Sequence, residues 1–139
     1  MKVYVASGWF TPEQEKARKE ILRALNKFQV EFYSPKEDCL AKPDDGGDVL
    51  QSIFKENVDQ IRESDYIVAS TAGKDMGTLF ECGYAHALEV PIIYYAPGLE
   101  GNFNLMLARS AHNVATSVKE LEYIIEGNFP YKEYKGVIE

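Results

Sequence analysis

The stretch DYIVASTAGKDMGTLFECGYAHAL, residues 65–88, decides the fold. Its first part, Asp65–Ala69, is a short apolar run that predicts a buried strand. Residues 70–75 are typical of a loop, and Gly77–Leu88 predicts a helix. In an open α/β sheet, ligands bind at the carboxyl ends of the strands, where the helices begin. This stretch therefore predicts both a sheet element and the edge of a binding site.

Glu81 lies among apolar neighbours within the predicted helix. A carboxylate in such surroundings costs free energy unless it has a partner or a function. We therefore interpret Glu81 as a reactive group that lines a pocket. Asp75, six residues earlier, could face the same cavity, and two acids beside one substrate can break a glycosidic bond. A helix cap is the commoner role for an aspartate at such a position.

The alternation of strands and helices continues on both sides of this stretch. Strands are predicted at Lys2–Ala6, Val30–Ser34, Val90–Ala96 and Val114–Ala115. Helices are predicted from Thr11 to about Lys27, at Val49–Ser64, at Phe103–Arg109 and from Ser117 to about Glu126. Residues 36–47 are polar and rich in Asp, Pro and Gly, and they predict a loop. The pattern is typical of a doubly wound α/β sandwich with a mainly parallel sheet of about five strands.

Length, charge and composition limit the possible classes of function and partner. The 139 residues fit one domain, 1–139, and the net charge of −7 disfavours a nucleic-acid polymer or an anionic membrane as partner. No apolar run approaches the roughly 18–20 residues of a membrane helix. No signal peptide is visible, and two cysteines form no disulfide framework or zinc set. We expect a reduced, cytoplasmic protein.

The remaining polar and aromatic motifs carry weaker signals. Residues 7–10 (SGWF) contain no phosphate-binding glycine pattern. Trp9 and Phe10 could pack on the sheet or form an aromatic wall for a flat ring. The other isolated residues are interpreted as structural or exposed, without metal-ligand spacing or the surroundings of a catalytic thiol: His86, His112, Cys39 and Cys82. No metal or cofactor is expected.

Four segments together resemble the nucleoside 2-deoxyribosyltransferase family. They are Tyr4 with residues 8–10 (GWF), residues 75–85 (DMGTLFECGYA), residues 104–106 (NLM) and the end of the chain, residues 134–139 (YKGVIE). The order and spacing of these segments carry the resemblance, which covers nearly the whole chain. The resemblance implies a flavodoxin-like fold and enzymes that act on 2′-deoxynucleosides and free nucleobases without a metal.

The resemblance also implies roles for individual residues. Glu81 matches the glutamate that attacks C1′ and forms a covalent deoxyribosyl-enzyme, from which a second base then takes the sugar. Tyr4 matches a tyrosine that orients this nucleophile, and Asp75 matches an aspartate that binds substrate and assists proton transfer. Substrate-binding positions are implied at Gly8, Trp9, Phe10, Asn57, Asn104, Met106 and Glu139.

Some of these residues are implied to serve a neighbouring subunit. In the family, an asparagine matching Asn104 contacts the sugar from the adjacent subunit, and the terminal carboxylate, here that of Glu139, also enters a neighbour's site. The family forms homo-oligomers built from dimers, such as tetramers or hexamers. Many members carry an aspartate where this chain has Asn57, and an amide cannot protonate the departing base as an acid does. Asp59, Asp75 or the terminal carboxylate could compensate.

Two other functions are weighed against base exchange. The first is an N-glycosidase that hydrolyses a nucleoside or a nucleotide 5′-monophosphate on the same fold. A phosphate would be bound best by serine or a cation. Asn104 suits an uncharged 5′-hydroxyl, although Arg109 is close in sequence. The second is a non-catalytic nucleotide-sensing module, which would not need an acid at the position of Glu81.

Overall fold

The computed structural model describes all residues, Met1–Glu139. The strands are β1 (Lys2–Ala6), β2 (Glu31–Tyr33), β3 (Tyr66–Ser70), β4 (Ile92–Tyr95) and β5 (Asn113–Ala115). The helices are α1 (Pro12–Lys27), α2 (Pro35–Asp38), α3 (Gly47–Glu63), α4 (Met76–Ala87), α5 (Leu105–Ser110) and α6 (Val118–Glu126), and a 3₁₀ turn covers Ala72–Lys74.

The five strands form one sheet in the order β2-β1-β3-β4-β5. Every neighbouring pair is parallel. This strand order is that of the flavodoxin-like fold, so the predicted fold class is confirmed, and the sheet is parallel throughout. Tyr4 on β1 pairs with Tyr33 on β2 and with Ile67 on β3.

Helices cover both faces of the sheet, as the apolar runs of the strands require. Side chains of one face pack with α1 and α6 around Ile21, Leu25 and Leu121. Side chains of the other face, including Tyr4 and Tyr33, pack with α3, α4 and α5. The two tyrosines thus lie on the face that also carries Glu81's helix.

The predicted loop at residues 36–47 is wrong at both ends. Pro35–Asp38 forms the short helix α2, and α3 begins at Gly47. Proline at the first helical position is preorganised for a helix. The Asp38 carboxylate accepts a hydrogen bond from the Ser34 backbone N–H (2.8 Å), and Arg18 on α1 pairs with Glu37. These contacts stabilise a turn that the local composition does not predict. The other predicted boundaries lie within about two residues of the observed ones.

The end of the chain returns to the sheet edge near α5. Ile138 forms a parallel bridge with Phe103, and the Phe103 backbone N–H donates to the Val137 carbonyl at 2.8 Å. The sequence of this segment predicts no regular element.

No helix reaches the length and hydropathy of a membrane-spanning segment.

Candidate active site

The candidate site lies where the carboxyl ends of β1 and β3 meet. From β1 the chain goes to β2 on one side, and β3 lies on the other side of β1. Such a switch point leaves a crevice between the loops that follow the two strands. The loop after β1 carries residues 7–10, and the loop after β3 leads through Asp75 into α4. These two of the four segments that the sequence singles out are therefore adjacent in space.

Glu81 is half-buried on the second turn of α4, and the Tyr4 hydroxyl donates a hydrogen bond to its Oε2. The pKa of Glu81 is raised to about 7, chiefly by burial. The Tyr4 hydrogen bond lowers this pKa, and the nearby charge of Asp75 raises it. Burial, together with the charge of Glu81, also raises the pKa of Tyr4, which keeps this phenol a donor. Glu81 is therefore an oriented carboxylate that ionises near neutral pH.

Asp75 has a structural role and also faces open space. Its Oδ2 accepts hydrogen bonds from the Thr78 backbone N–H and hydroxyl, both at 2.9 Å, so it caps α4. A Cβ added at Gly8 would lie 2.7 Å from the Gln14 Oε1 and 3.0 Å from the Asp75 Cγ, so glycine lets the β1 loop pack closely against both side chains. The position of Asp75 is compatible with both roles considered from the sequence, a helix cap and an acid that faces the same cavity as Glu81.

A cavity of about 360 Å³, the Glu81 cavity, is lined by Trp9, Phe10, Asn57, Asp75 and Glu81, together with Phe54 and Phe80. Phe10 is 73% exposed, so it does not pack on the sheet, and its ring contacts Trp9 at a centroid distance of 5.1 Å. The two rings form the wall of the cavity, as one of the two alternatives for these residues predicts. Tyr4 and Gly8 are buried and do not line this cavity.

Asn57 faces the Glu81 cavity and is half-buried. Its Oδ1 accepts a hydrogen bond from the Tyr33 hydroxyl at 2.8 Å. Asp59, considered as a substitute acid, instead pairs with Lys55 and Arg62 and does not line the Glu81 cavity.

Asn104, Met106 and Glu139 line a second cavity of about 700 Å³, the tail cavity, to which Asp75 also contributes. They do not line the Glu81 cavity of their own chain. The Asn104 Oδ1 caps α5 by accepting from the backbone N–H groups of Met106 and Leu107 (2.9 and 3.1 Å). Met106 is 73% exposed. Within one chain, the predicted site residues thus form two groups that meet at Asp75.

Gln14 is a site residue that sequence reasoning missed. In the sequence it is only a polar residue near the start of the helix predicted from Thr11 to about Lys27. Its buried side chain instead accepts from the Phe10 backbone N–H (2.9 Å) and donates to the Gly73 carbonyl (3.4 Å). It therefore ties the β1 loop to the loop that carries Asp75.

The residues interpreted as structural or exposed have those positions. His86 is exposed, and His112 contacts the Phe129 carbonyl (3.0 Å). Cys82 is buried, and burial raises the pKa of its thiol to about 12, so it is not a thiolate at neutral pH. Asp65 accepts a hydrogen bond from the Lys2 backbone N–H at the start of β1.

Glu81→Gln should stabilise the protein at alkaline pH. The folded-state pKa of Glu81 is raised from 4.5 to about 7, so its contribution to stability is complete below about pH 4.5 and is lost as the pH rises through 7. The neutral amide avoids this loss, so the free energy of unfolding should exceed that of the parent by up to about 3 kcal/mol at pH 8. Urea unfolding at pH 4 and pH 8 measures this. An equal difference at the two pH values would contradict the raised pKa.

Tyr4→Phe should shift the acid limb of the pH–rate profile to higher pH. The Tyr4 hydrogen bond lowers the pKa of Glu81, so its removal leaves more of the carboxyl protonated at a given pH. We expect kcat/KM to fall by about 10- to 100-fold at pH 6, with a smaller loss at pH 9. Tyr95→Phe is the matched control, because Tyr95 lies on the other sheet face and donates to Glu20. A pH-independent loss would argue against this role for Tyr4.

Comparison with known proteins agrees with this architecture. The family described as Nucleoside 2-deoxyribosyltransferase matches residues 3–114. None of the curated proteins matches the chain. A solved structure of a 2-deoxyribosyltransferase from Bacillus psychrosaccharolyticus has a TM-score of 0.85 and 24% identity, covering 97% of this chain and 100% of that chain.

Two further solved structures share the fold at lower similarity. A conserved protein from Enterococcus faecalis V583 has a TM-score of 0.72 and 18% identity, over 92% of this chain and 98% of its own. A CMP N-glycosidase from Clostridium botulinum has a TM-score of 0.60 and 20% identity, over 92% of this chain and 99% of its own. At these identities the structural likeness establishes the fold.

Proposed function

The chain belongs to the nucleoside 2-deoxyribosyltransferase family, and on this premise we propose that it exchanges the base of 2′-deoxynucleosides through a covalent deoxyribosyl-Glu81 intermediate. The observation that carries the proposal is the Glu81 carboxylate, held by the Tyr4 hydroxyl in a cavity with an aromatic wall. A nucleophile fixed in direction and a wall for a flat ring are two elements that favour nucleoside cleavage.

The proposed reaction has two displacements at C1′. In the first, a Glu81 oxygen forms a bond to C1′ as the C1′–N bond breaks, and the bonding electron pair leaves with the base. The base takes up a proton, and Asp75 assists this transfer. In the second, a ring nitrogen of another base attacks C1′ from the opposite side, the bond from C1′ to the Glu81 oxygen breaks, and the N–H proton of the incoming base passes to Asp75. Two inversions give net retention.

Thymidine incubated with free adenine tests the proposal. Base exchange produces deoxyadenosine and thymine, which chromatography separates. Adenosine serves as a control donor, because we expect preference for 2′-deoxy sugars: a 2′-hydroxyl withdraws electrons from the oxocarbenium-like transition state. Thymine and free deoxyribose without deoxyadenosine would indicate hydrolysis instead. Release of no base from any nucleoside would refute both base exchange and nucleoside hydrolysis.

Hydrolysis of a nucleotide 5′-monophosphate is the second candidate. The tail cavity contains Lys74 and the hydroxyls of Ser70, Thr71 and Ser110, which are groups that bind phosphate. A structural neighbour is a CMP N-glycosidase. Deoxycytidine 5′-monophosphate and deoxycytidine, compared as substrates, distinguish the candidates. A higher kcat/KM for the monophosphate, with free sugar phosphate as product, would favour the hydrolase.

We expect the working site to be shared between subunits of a homo-oligomer. Asn104, Met106 and Glu139 line a cavity other than that of Glu81 in their own chain, and Met106 is largely exposed. Deletion of residues 136–139 should therefore lower kcat/KM by about tenfold or more, because a neighbour's sugar contacts are lost. Sedimentation velocity of the parent should show a dimer or larger species. A fully active monomer would contradict this arrangement.

A further inference from the structure

Tyr33 holds the amide of Asn57 in one orientation. Tyr33 is buried, and its hydroxyl donates to the Asn57 Oδ1 at 2.8 Å. The Cys39 thiol, a weak acceptor, also lies beside this hydroxyl. If the amide flipped, the hydroxyl would exchange a carbonyl acceptor for the weaker thiol, which costs free energy. Burial, followed by the neighbouring Cys39 thiol, raises the pKa of Tyr33, so the phenol remains a donor over the working pH range.

The fixed amide has a direct consequence for a ligand. Because Oδ1 is directed at the Tyr33 hydroxyl, Nδ2 lies on the opposite branch of the amide, and Asn57 lines the Glu81 cavity. A free asparagine can either donate or accept, because its side chain can rotate by 180°. Here Tyr33 favours one orientation, in which Nδ2 serves as the donor to a ligand.

Tyr33 and Tyr4 act as a pair on neighbouring strands. They are register partners in β1 and β2, and their rings stack with a centroid distance of 5.6 Å and an interplanar angle of 26°. Tyr4 holds Glu81, and Tyr33 holds Asn57. The two side chains therefore fix both the reacting carboxylate and the amide on the α3 wall within one cavity. A nucleoside with C1′ at Glu81 has its base in the remaining part of that cavity.

We propose that Asn57, fixed by Tyr33, donates a hydrogen bond to the base and makes the protein prefer 6-oxopurine and 4-oxopyrimidine nucleosides over their amino counterparts. The inference rests on the proposed function and adds the substrate class. An oxo group accepts from Nδ2, whereas an amino group opposes donor to donor and leaves both groups without a partner. Asn57, where many members of the family carry an aspartate, then determines which bases are preferred.

The test measures base release from deoxyinosine and deoxyadenosine, and from deoxyuridine and deoxycytidine. In the parent, kcat/KM should favour the oxo member of each pair by about 10- to 100-fold. Tyr33→Phe should bring the ratios close to one, because the amide can then rotate. Asn57→Asp should reverse them at alkaline pH, where the new carboxyl is ionised and only accepts. Tyr95→Phe, a buried tyrosine on the other sheet face, should leave the ratios unchanged.

The assay detects release of the base both when the sugar passes to another base and when it passes to water. The inference and the proposed function therefore fail in different ways. Parent ratios near one, or ratios that neither Tyr33→Phe nor Asn57→Asp changes, would overturn the inference alone. Release of no base from any of the four nucleosides would overturn the proposed function and the inference together. If Tyr33→Phe does not fold, the ratio in Asn57→Asp decides.

Discussion

Glu81→Ala should lower kcat for base release by on the order of 10⁴-fold or more, with the fold intact. The substitution removes the oxygen that forms the bond to C1′, so the covalent step cannot occur. Tyr4 would lose its acceptor, but the side chain of Glu81 borders a cavity, and water can replace the carboxylate there. Single-turnover measurement of base release from thymidine gives the loss directly.

Glu81→Gln separates chemistry from packing in this experiment. The amide keeps the shape of the side chain and an acceptor for the Tyr4 hydroxyl, but it is a poor nucleophile. It should be as inactive as Glu81→Ala while unfolding cooperatively. Cys82→Ser, on the next residue of α4, is a control for disturbance of the helix, and it should keep most of the activity. Turnover near the parental rate in either Glu81 variant would remove Glu81 from the mechanism.

Asp75→Asn should lower kcat/KM by about 10²-fold or more, the range for loss of a proton-transfer group. The amide oxygen can still accept from Thr78, so the cap of α4 is retained. The substitution should also move the acid limb of the pH–rate profile to lower pH. The charge of Asp75 raises the pKa of Glu81, and the neutral amide removes that effect.

The direction of the shift distinguishes Asp75 from Tyr4. Loss of the Tyr4 hydrogen bond moves the acid limb upward, and loss of the Asp75 charge moves it downward, because the two groups have opposite effects on the pKa of Glu81. Thr78→Val removes one bond to Asp75 without changing charge and is the matched control. An upward shift in Asp75→Asn would contradict the electrostatic account of the site.

The fold could be predicted largely from local patterns. Apolar runs such as Ile67–Ala69 are short and are followed by helices with one apolar face, which is sufficient for a parallel sheet. The short helix Pro35–Asp38 could not be predicted in this way, because the Arg18–Glu37 pair that supports it comes from another helix. The return of Ile138 to Phe103 likewise depends on a contact between distant parts of the chain.

The site could be predicted in part for the same reason. The position of Glu81 among apolar residues carries an energetic signal that is visible in the sequence. Tyr33 and Gln14 carry no such signal, because their roles depend on Asn57 and Gly73, which lie 24 and 59 residues away in the chain. Nor does local sequence indicate that Asn104 lines a cavity other than that of Glu81.

The central claim is that Glu81 becomes covalently bonded to the sugar. A 2-deoxy-2-fluoro-arabinosyl nucleoside slows both displacements, so the intermediate should accumulate. After reaction, denaturation and proteolysis, mass spectrometry should find the added sugar on the peptide that contains Glu81, and fragmentation should assign it to that side chain. The adduct should be absent from Glu81→Gln. A sugar attached to Asp75, or continued base release with no adduct on any peptide, would contradict the account.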